Sequence, residues 1–178
     1  MVNTTNFQIL TDELTLISDL KFEKVSPAAF KSTLIVRILL LTTLVAAAFA
    51  LWFIVENDYF IVLLALGFLS LVIFISILYS RYYYKLLMYA IREKDITVKD
   101  GVIFLNTTTL PFNRVQHVEI NQSFVQRYFK IATLQLYTAG GSGVDLTLPG
   151  LSEEIAEKIK SFIINKNAKV ADHNGEEE

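Results

Sequence analysis

The chain has 178 residues, 53% of them hydrophobic and 19% charged, with a net charge of -2. It contains no cysteine, which excludes disulfides, thiol catalysis and thiolate metal sites. A mean hydropathy of +0.44 points to a membrane-embedded part beside a soluble part of ordinary composition.

Residues 1–33 form a mostly polar leading segment. Within it, Leu10, Leu14 and Ile17 fall at near-helical spacing while Leu14, Leu16 and Ser18 alternate, so the secondary structure of residues 5–30 stays open. Two uncharged apolar runs follow, Ile38 to Val55 and Tyr59 to Leu78, parted only by Glu56-Asn57-Asp58. Their 18 and 20 residues each suffice to cross a hydrocarbon core of about 30 Å as a helix. A membrane hairpin is expected over residues 34–81. A cleaved signal peptide is not, because a long polar segment precedes the first run and no small-residue cleavage site closes it.

Lys21, Lys24, Lys31 and Arg37 flank the first run, Arg81, Lys85, Arg92, Lys94 and Lys99 follow the second, and the connecting loop carries only acids. The positive-inside rule therefore puts both termini of this multi-pass chain in the cytoplasm. Arg37 is expected to snorkel to the interface. Trp52 and Tyr59 at one boundary, and Tyr79, Tyr82, Tyr83 and Tyr84 at the other, have the character of aromatic belts.

Residues 82–166 suffice for one small domain, with ten Lys or Arg against eight Asp or Glu. Asp100-Gly101 predicts a hairpin between Thr97-Val98 and Val102-Ile103-Phe104-Leu105. Further strands are expected at Val115–Asn121, Thr133–Thr138 and Val144–Leu148. The last two alternate, with Leu134, Leu136, Leu146 and Leu148 inward, and should pair across Gly140-Gly141-Ser142-Gly143. Ser152 can cap a final helix whose Ile155, Ile159, Phe162 and Ile163 form an apolar stripe. Such a stripe must cover the open face of a curled sheet. The fold class is an α+β membrane protein: a transmembrane hairpin, then a β-sandwich or partly open barrel plugged by a C-terminal helix. Residues 167–178, with one Lys against four acids, read as an acidic disordered tail.

The stretch Leu110-Pro111-Phe112-Asn113-Arg114-Val115-Gln116-His117-Val118-Glu119-Ile120-Asn121-Gln122-Ser123, continued by Arg127-Tyr128-Phe129-Lys130-Ile131-Ala132-Thr133-Leu134 and Thr138-Ala139-Gly140, resembles the bacterial pleckstrin-homology family often labelled YdbS-like. With the hairpin directly before it, the resemblance covers about residues 30 to 165. It implies a pleckstrin-homology (PH) sandwich facing the cytoplasm, in a family whose members are not enzymes and often serve assembly or interaction. One departure stands out: where the family usually has Gly after the Phe of the middle motif, this chain has Lys130. If that Gly serves a positive-φ turn, the loop must differ or tolerate strain.

The candidate interaction surface comprises Arg114, Gln116, Gln122, Arg127, Tyr128 and Lys130. By strand parity Arg114, Gln116, Val118 and Ile120 share one face. Gln116 is expected to pin neighbouring backbone, while Arg114 serves either that end or a partner. Gln122 to Lys130 either touches lipid head groups or is a loop whose aromatics complete the core, and the second is expected. His117 and His173 lack metal-ligand spacing, and the glycine-rich turn lacks the Lys-Ser or Lys-Thr and the helix of a phosphate loop. No catalytic, cofactor or metal residue is expected, nor a nucleic-acid partner. The leading expectation is a membrane-tethered interaction module whose partners are the lipid bilayer and itself or a second membrane protein of the family. Ala46-Ala47-Ala48 and Ala50 permit a helix contact within the membrane. The competing expectation is a lipid- or small-ligand-binding accessory of an export or envelope-defence system.

Overall fold

Ser26 and Pro27 open the first long helix in a computed structural model that describes residues 20–52, 59–140 and 143–175, the side chains of 52, 59, 61 and 168–175 excepted. Helix α1 spans Ala28–Trp52; the Ser26 hydroxyl accepts the Ala28 amide at 3.3 Å and the Ser26 carbonyl accepts the Ala29 amide at 3.0 Å. Proline suits this place because it has no N–H to leave unpaired. Helix α2, Tyr59–Leu86, runs antiparallel to α1: the Thr33 and Tyr84 hydroxyls share a 3.1 Å hydrogen bond, and Arg37 donates to Ser76. Arg37 thus reaches across the hairpin to a hydroxyl on the facing helix.

Both helices are long and apolar enough to cross a membrane. Leu39, Phe60, Leu63 and Phe68 are 61–69% exposed, an outer surface suited to lipid and costly in water. At about 1.5 Å per residue the helices measure about 37 and 42 Å. They outlast a hydrocarbon core, so their joined base projects beyond it. There Tyr79 and Tyr82 are exposed, while Tyr83 and Tyr84 pack against the core of the domain. The Glu56-Asn57-Asp58 loop, the ambiguous segment up to residue 19, Gly141-Ser142, Glu176-Glu177-Glu178, and the Trp52, Tyr59 and His173 side chains lie outside the described residues.

Strand β1, Glu23–Lys24, precedes α1, and strand β2, Met88–Ile91, follows α2 after one fully buried residue, Leu87. The two pair antiparallel, Lys24 opposite Met88 and Glu23 opposite Tyr89. The helical hairpin is therefore inserted between the first two strands of a sheet. Tyr89, 2% exposed, donates its hydroxyl to Glu23 at 2.8 Å, and burial, then that carboxylate, pushes its pKa well up. Strands β3, Asp95–Asp100, and β4, Asn106–Pro111, complete the order β1-β2-β3-β4.

The predicted partner of Thr97-Val98 is corrected. Val98 faces Thr108, and residues 101–105 form the loop between strands. Gly101 has φ +106, and a Cβ there would lie 1.8 Å from the Phe104 carbonyl oxygen, so the chain closes tightly before it can extend. Ile103, Phe104 and Leu105 are thrown outward.

The second sheet is β5-β6-β7: Val115–Asn121, Ile131–Thr138 and Leu146–Ser152. The alternation holds as read: Leu134 faces Leu148, Leu136 faces Leu146, and all four are at most 4% exposed. Parity fails in β5. A register shift between Val115 and His117 leaves Gln116 bulged, so Val115 and Val118 both point inward while Gln116 and His117 are exposed. Arg114 is not on the strand at all but ends a 3-10 turn, Phe112–Arg114.

Helix α3, Phe124–Tyr128, joins β5 to β6, held by a reciprocal capping box of Ser123 and Gln126. Helix α4, Glu153–Gly175, is capped by Ser152, whose hydroxyl accepts the Ile155 amide at 3.3 Å. Its buried stripe is Ala156, Ile159 and Ile163. Ile155 and Phe162, expected in it, are 37% and 42% exposed on its flanks, Phe162 meeting Phe112 edge-on. The small Ala156 lets the helix sit closer and turns the stripe by part of a turn. The α4 backbone continues past Lys166, where the sequence reading begins a disordered tail, to Gly175. The result is a PH-like sandwich capped by a helix.

Strand direction divides the sandwich into two ends. At the far end the Phe112 amide donates to the Lys94 carbonyl and the Asn167 side chain to the Val115 carbonyl. At the hairpin end the Ser26 amide donates to the Gly150 carbonyl at 2.8 Å. Gly150 is the bulged residue of β7, and its φ is +82.

Candidate functional site

The base of the hairpin meets the hairpin end of the sandwich in a groove lined by Lys24, Val25, Ser26, Pro27, Phe30, Arg81, Tyr82, Tyr84 and Lys85. It exists because β1 returns the chain from before α1 to the end of α2. Lys24 from one side and Arg81 and Lys85 from the other are all exposed, and no acid among the described residues lines the groove. Glu23 is turned to Tyr89. The Arg81 guanidinium stands 5.9 Å from the Phe30 ring centroid, a cation–π geometry that positions it without neutralising it. Lys24, Arg81 and Lys85 thus give the groove a positive rim over aromatic walls, where α2 leaves its apolar stretch. Sequence reasoning used Lys24, Arg81 and Lys85 only as orientation signals. Their meeting depends on the Lys24–Met88 pairing, which bridges more than sixty positions and leaves no local pattern.

The predicted surface splits in two. Arg114 and Gln116 are exposed at the far end and make no side-chain hydrogen bond among the described residues, so Gln116 does not pin the neighbouring backbone there. Arg127, Tyr128 and Lys130 are exposed at the hairpin end, about 20 Å away along β5. Gln122 is structural: its side-chain amide donates to the Ile131 carbonyl at 3.1 Å. The aromatics of this segment do not complete the core as expected. Phe124 and Tyr128 are 85% and 81% exposed, because the capping box turns the helix so that only Val125 and Phe129 lean inward.

Lys130 answers the question of the missing glycine by tolerating the strain. It holds φ +52, with its amide donating to the Arg127 carbonyl and its own carbonyl accepting the Glu153 amide. The left-handed conformation costs a side-chain-bearing residue about 1 kcal/mol. Lys130→Gly is accordingly expected to stabilise the protein by up to about 1 kcal/mol, read as a higher denaturant midpoint with an unchanged slope.

On the outer face of the second sheet, Glu119 accepts the Tyr137 hydroxyl at 3.0 Å and faces His117 Nε2 at 3.1 Å. The tyrosine, and then the histidine, hold its carboxyl below the usual range. A depressed pKa adds stability above the unfolded value of about 4.3 and forfeits it as pH falls through the folded value. Tyr137→Phe should raise the Glu119 pKa toward the ordinary value, measured by carboxyl-carbon NMR titration. An unchanged titration would mean the hydroxyl is not its partner.

A sequence profile described as the bacterial PH domain matches residues 36–167. The chain belongs to the bacterial PH domain family. This family member is 29% identical over 91 residues to UPF0699 transmembrane protein YdbT of Bacillus subtilis strain 168, covering 51% of this chain and 18% of that one. It is 27% identical over 89 residues to UPF0699 transmembrane protein YdbS of the same organism, covering 50% of this chain and 54% of that one. The matches thus span about half of one relative and under a fifth of the other. Together they show a YdbS-like bacterial PH-domain membrane protein. A crystal structure of a DUF1696 family protein with a pleckstrin-homology domain from Shewanella loihica PV-4 is similar at 19% identity and a TM-score of 0.36, over 46% of this chain and 70% of that one.

Proposed function

We propose that this bacterial PH-domain protein is a non-enzymatic interaction and assembly module, anchored by its hairpin with both termini at the cytoplasmic face of the inner membrane. Its partner is a second copy or another membrane protein of the same family. The observation that carries this reading is the outer edge of β4. Asn106, Thr107, Thr108 and Thr109 are all exposed, uncharged and without a neighbouring strand among the described residues. Folded proteins usually protect such an edge with charge, or use it to add a partner strand. Here Pro111 closes only its last position. Arg114, exposed just beyond it, offers a directional cation.

Purification of tagged protein from its native membranes in mild detergent, with a photo-crosslinker at Thr108, tests this. The expected outcome is a defined assembly, crosslinked through Thr108 and weakened by Thr108→Lys or Arg114→Ala. A lone chain, crosslinked to no protein, would overturn it. The cationic groove of Lys24, Arg81 and Lys85 supports a second reading, in which the module holds an anionic lipid; a lone chain that retains such lipid would favour it.

A further inference from the structure

We infer that the PH-like domain is itself embedded in the membrane interface, through the 101–105 loop and helix α3, which act as two apolar feet beside the hairpin. The first foot follows from strand direction. Strand β2 leaves α2 after one residue, β3 runs back antiparallel to it, and Lys99 faces Met88, so Asp100 and the loop after it return to the base of the hairpin. The Lys99 ammonium lies 4.0 Å from the Phe22 ring centroid, just before β1, and α2 touches β3. The second foot follows from contact: α3 packs beside α1, and Gly150, near the start of α4, abuts Ala29.

Both feet carry apolar side chains left uncovered by the described residues. Ile103, Phe104 and Leu105 are 78%, 80% and 76% exposed, and Phe124 and Tyr128 are 85% and 81% exposed. Every one exceeds Phe68, at 69% the most exposed large apolar residue among the described residues of the hairpin. Local geometry holds them out. Gly101 forces the tight loop that projects the first three, and the capping box fixes α3 with Phe124 and Tyr128 on one face, four positions apart. Arg127 and Lys130 stand exposed next to the second foot, the pairing of aromatic and base that suits the head-group region.

A bilayer is the occupant that fits, because the feet flank two helices already apolar enough to lie in it, one beside each helix. A soluble protein partner would have to reach both while passing the hairpin. The far end, by contrast, shows Asn113, Arg114 and Gln116 to solvent.

The absence of cysteine makes the test direct. Single-cysteine variants Phe104→Cys, Phe124→Cys and, at the far end, Asn113→Cys carry an environment-sensitive nitrobenzoxadiazole probe on the full chain. The protein is placed singly in nanodiscs of phosphatidylcholine and phosphatidylglycerol, which leave both faces open to solution. Probes at 104 and 124 are expected to be quenched by shallow spin-labelled lipid and to show severalfold weaker iodide quenching than the probe at 113. Equal iodide quenching at all three positions would overturn the inference. So would shielding that arises only when two chains share a disc, which would assign the feet to a second copy.

Discussion

Gly150→Ala is expected to unseat the hairpin from the sandwich, at a cost of about 2–4 kcal/mol. Two effects add at this residue. Its φ of +82 lies where a side chain costs about 1 kcal/mol. A Cβ would also stand 2.5 Å from the Ala29 Cβ, with Val25 and Tyr84 at 3.6 Å closing the alternatives. Neither backbone can yield easily, since Gly150 is pinned by its carbonyl to Ser26 and Ala29 is in the first turn of α1. Overpacking of this kind costs about 1–3 kcal/mol.

A double-mutant cycle separates the two terms. Ala29→Gly removes the opposing Cβ, so Gly150→Ala in that background should recover the overpacking cost and retain only the conformational one. Denaturant unfolding in a fixed detergent, followed by near-ultraviolet circular dichroism, reads both. Strictly additive single mutants would show that the two residues do not meet.

The hairpin, the β6–β7 pairing and the capping of α4 were legible because each rests on a local pattern: uncharged length, period-2 alternation around Leu134 and Leu148, a serine before a helical stripe. The misreadings share a cause as well. Gln116 and Gly150 are bulges, single extra residues that shift parity, and at Gln116 nothing in the sequence marks one. Asp100-Gly101 did signal a turn, but the loop takes five residues, so the apolar run after it became a projection rather than a strand. The cationic groove was hidden for a third reason. Its two walls lie on either side of the hairpin in sequence, and the two-residue strand β1 that joins them is too short to show periodicity.

That same short strand sets the other large effect. A fragment beginning at Leu87 should fail to fold, although it contains six of the seven strands among the described residues and the capping helix. It would lose Val25, 7% exposed, whose burial is worth about 1.5–3 kcal/mol. The β1–β2 pairing, the Ser26–Gly150 bond and the Tyr89–Glu23 bond would go too, each worth about 1 kcal/mol. The sum, about 4.5–6 kcal/mol, reaches the lower end of the whole stability of a small domain, about 5–15 kcal/mol. Leu87 and Tyr89 would also be uncovered along the edge vacated by β1, inviting strand addition. Joining residues 20–27 to Leu87 through a short Gly-Ser linker should restore folding, because Lys24 already lies opposite Met88 and the linker replaces only the hairpin. Dispersed amide NMR signals and a cooperative melt for the linked protein, against collapsed signals or aggregation for the fragment, are the expected pair. Equal melting of the two would show that β1 does not hold the sandwich, and that the hairpin is tethered to a domain complete without it.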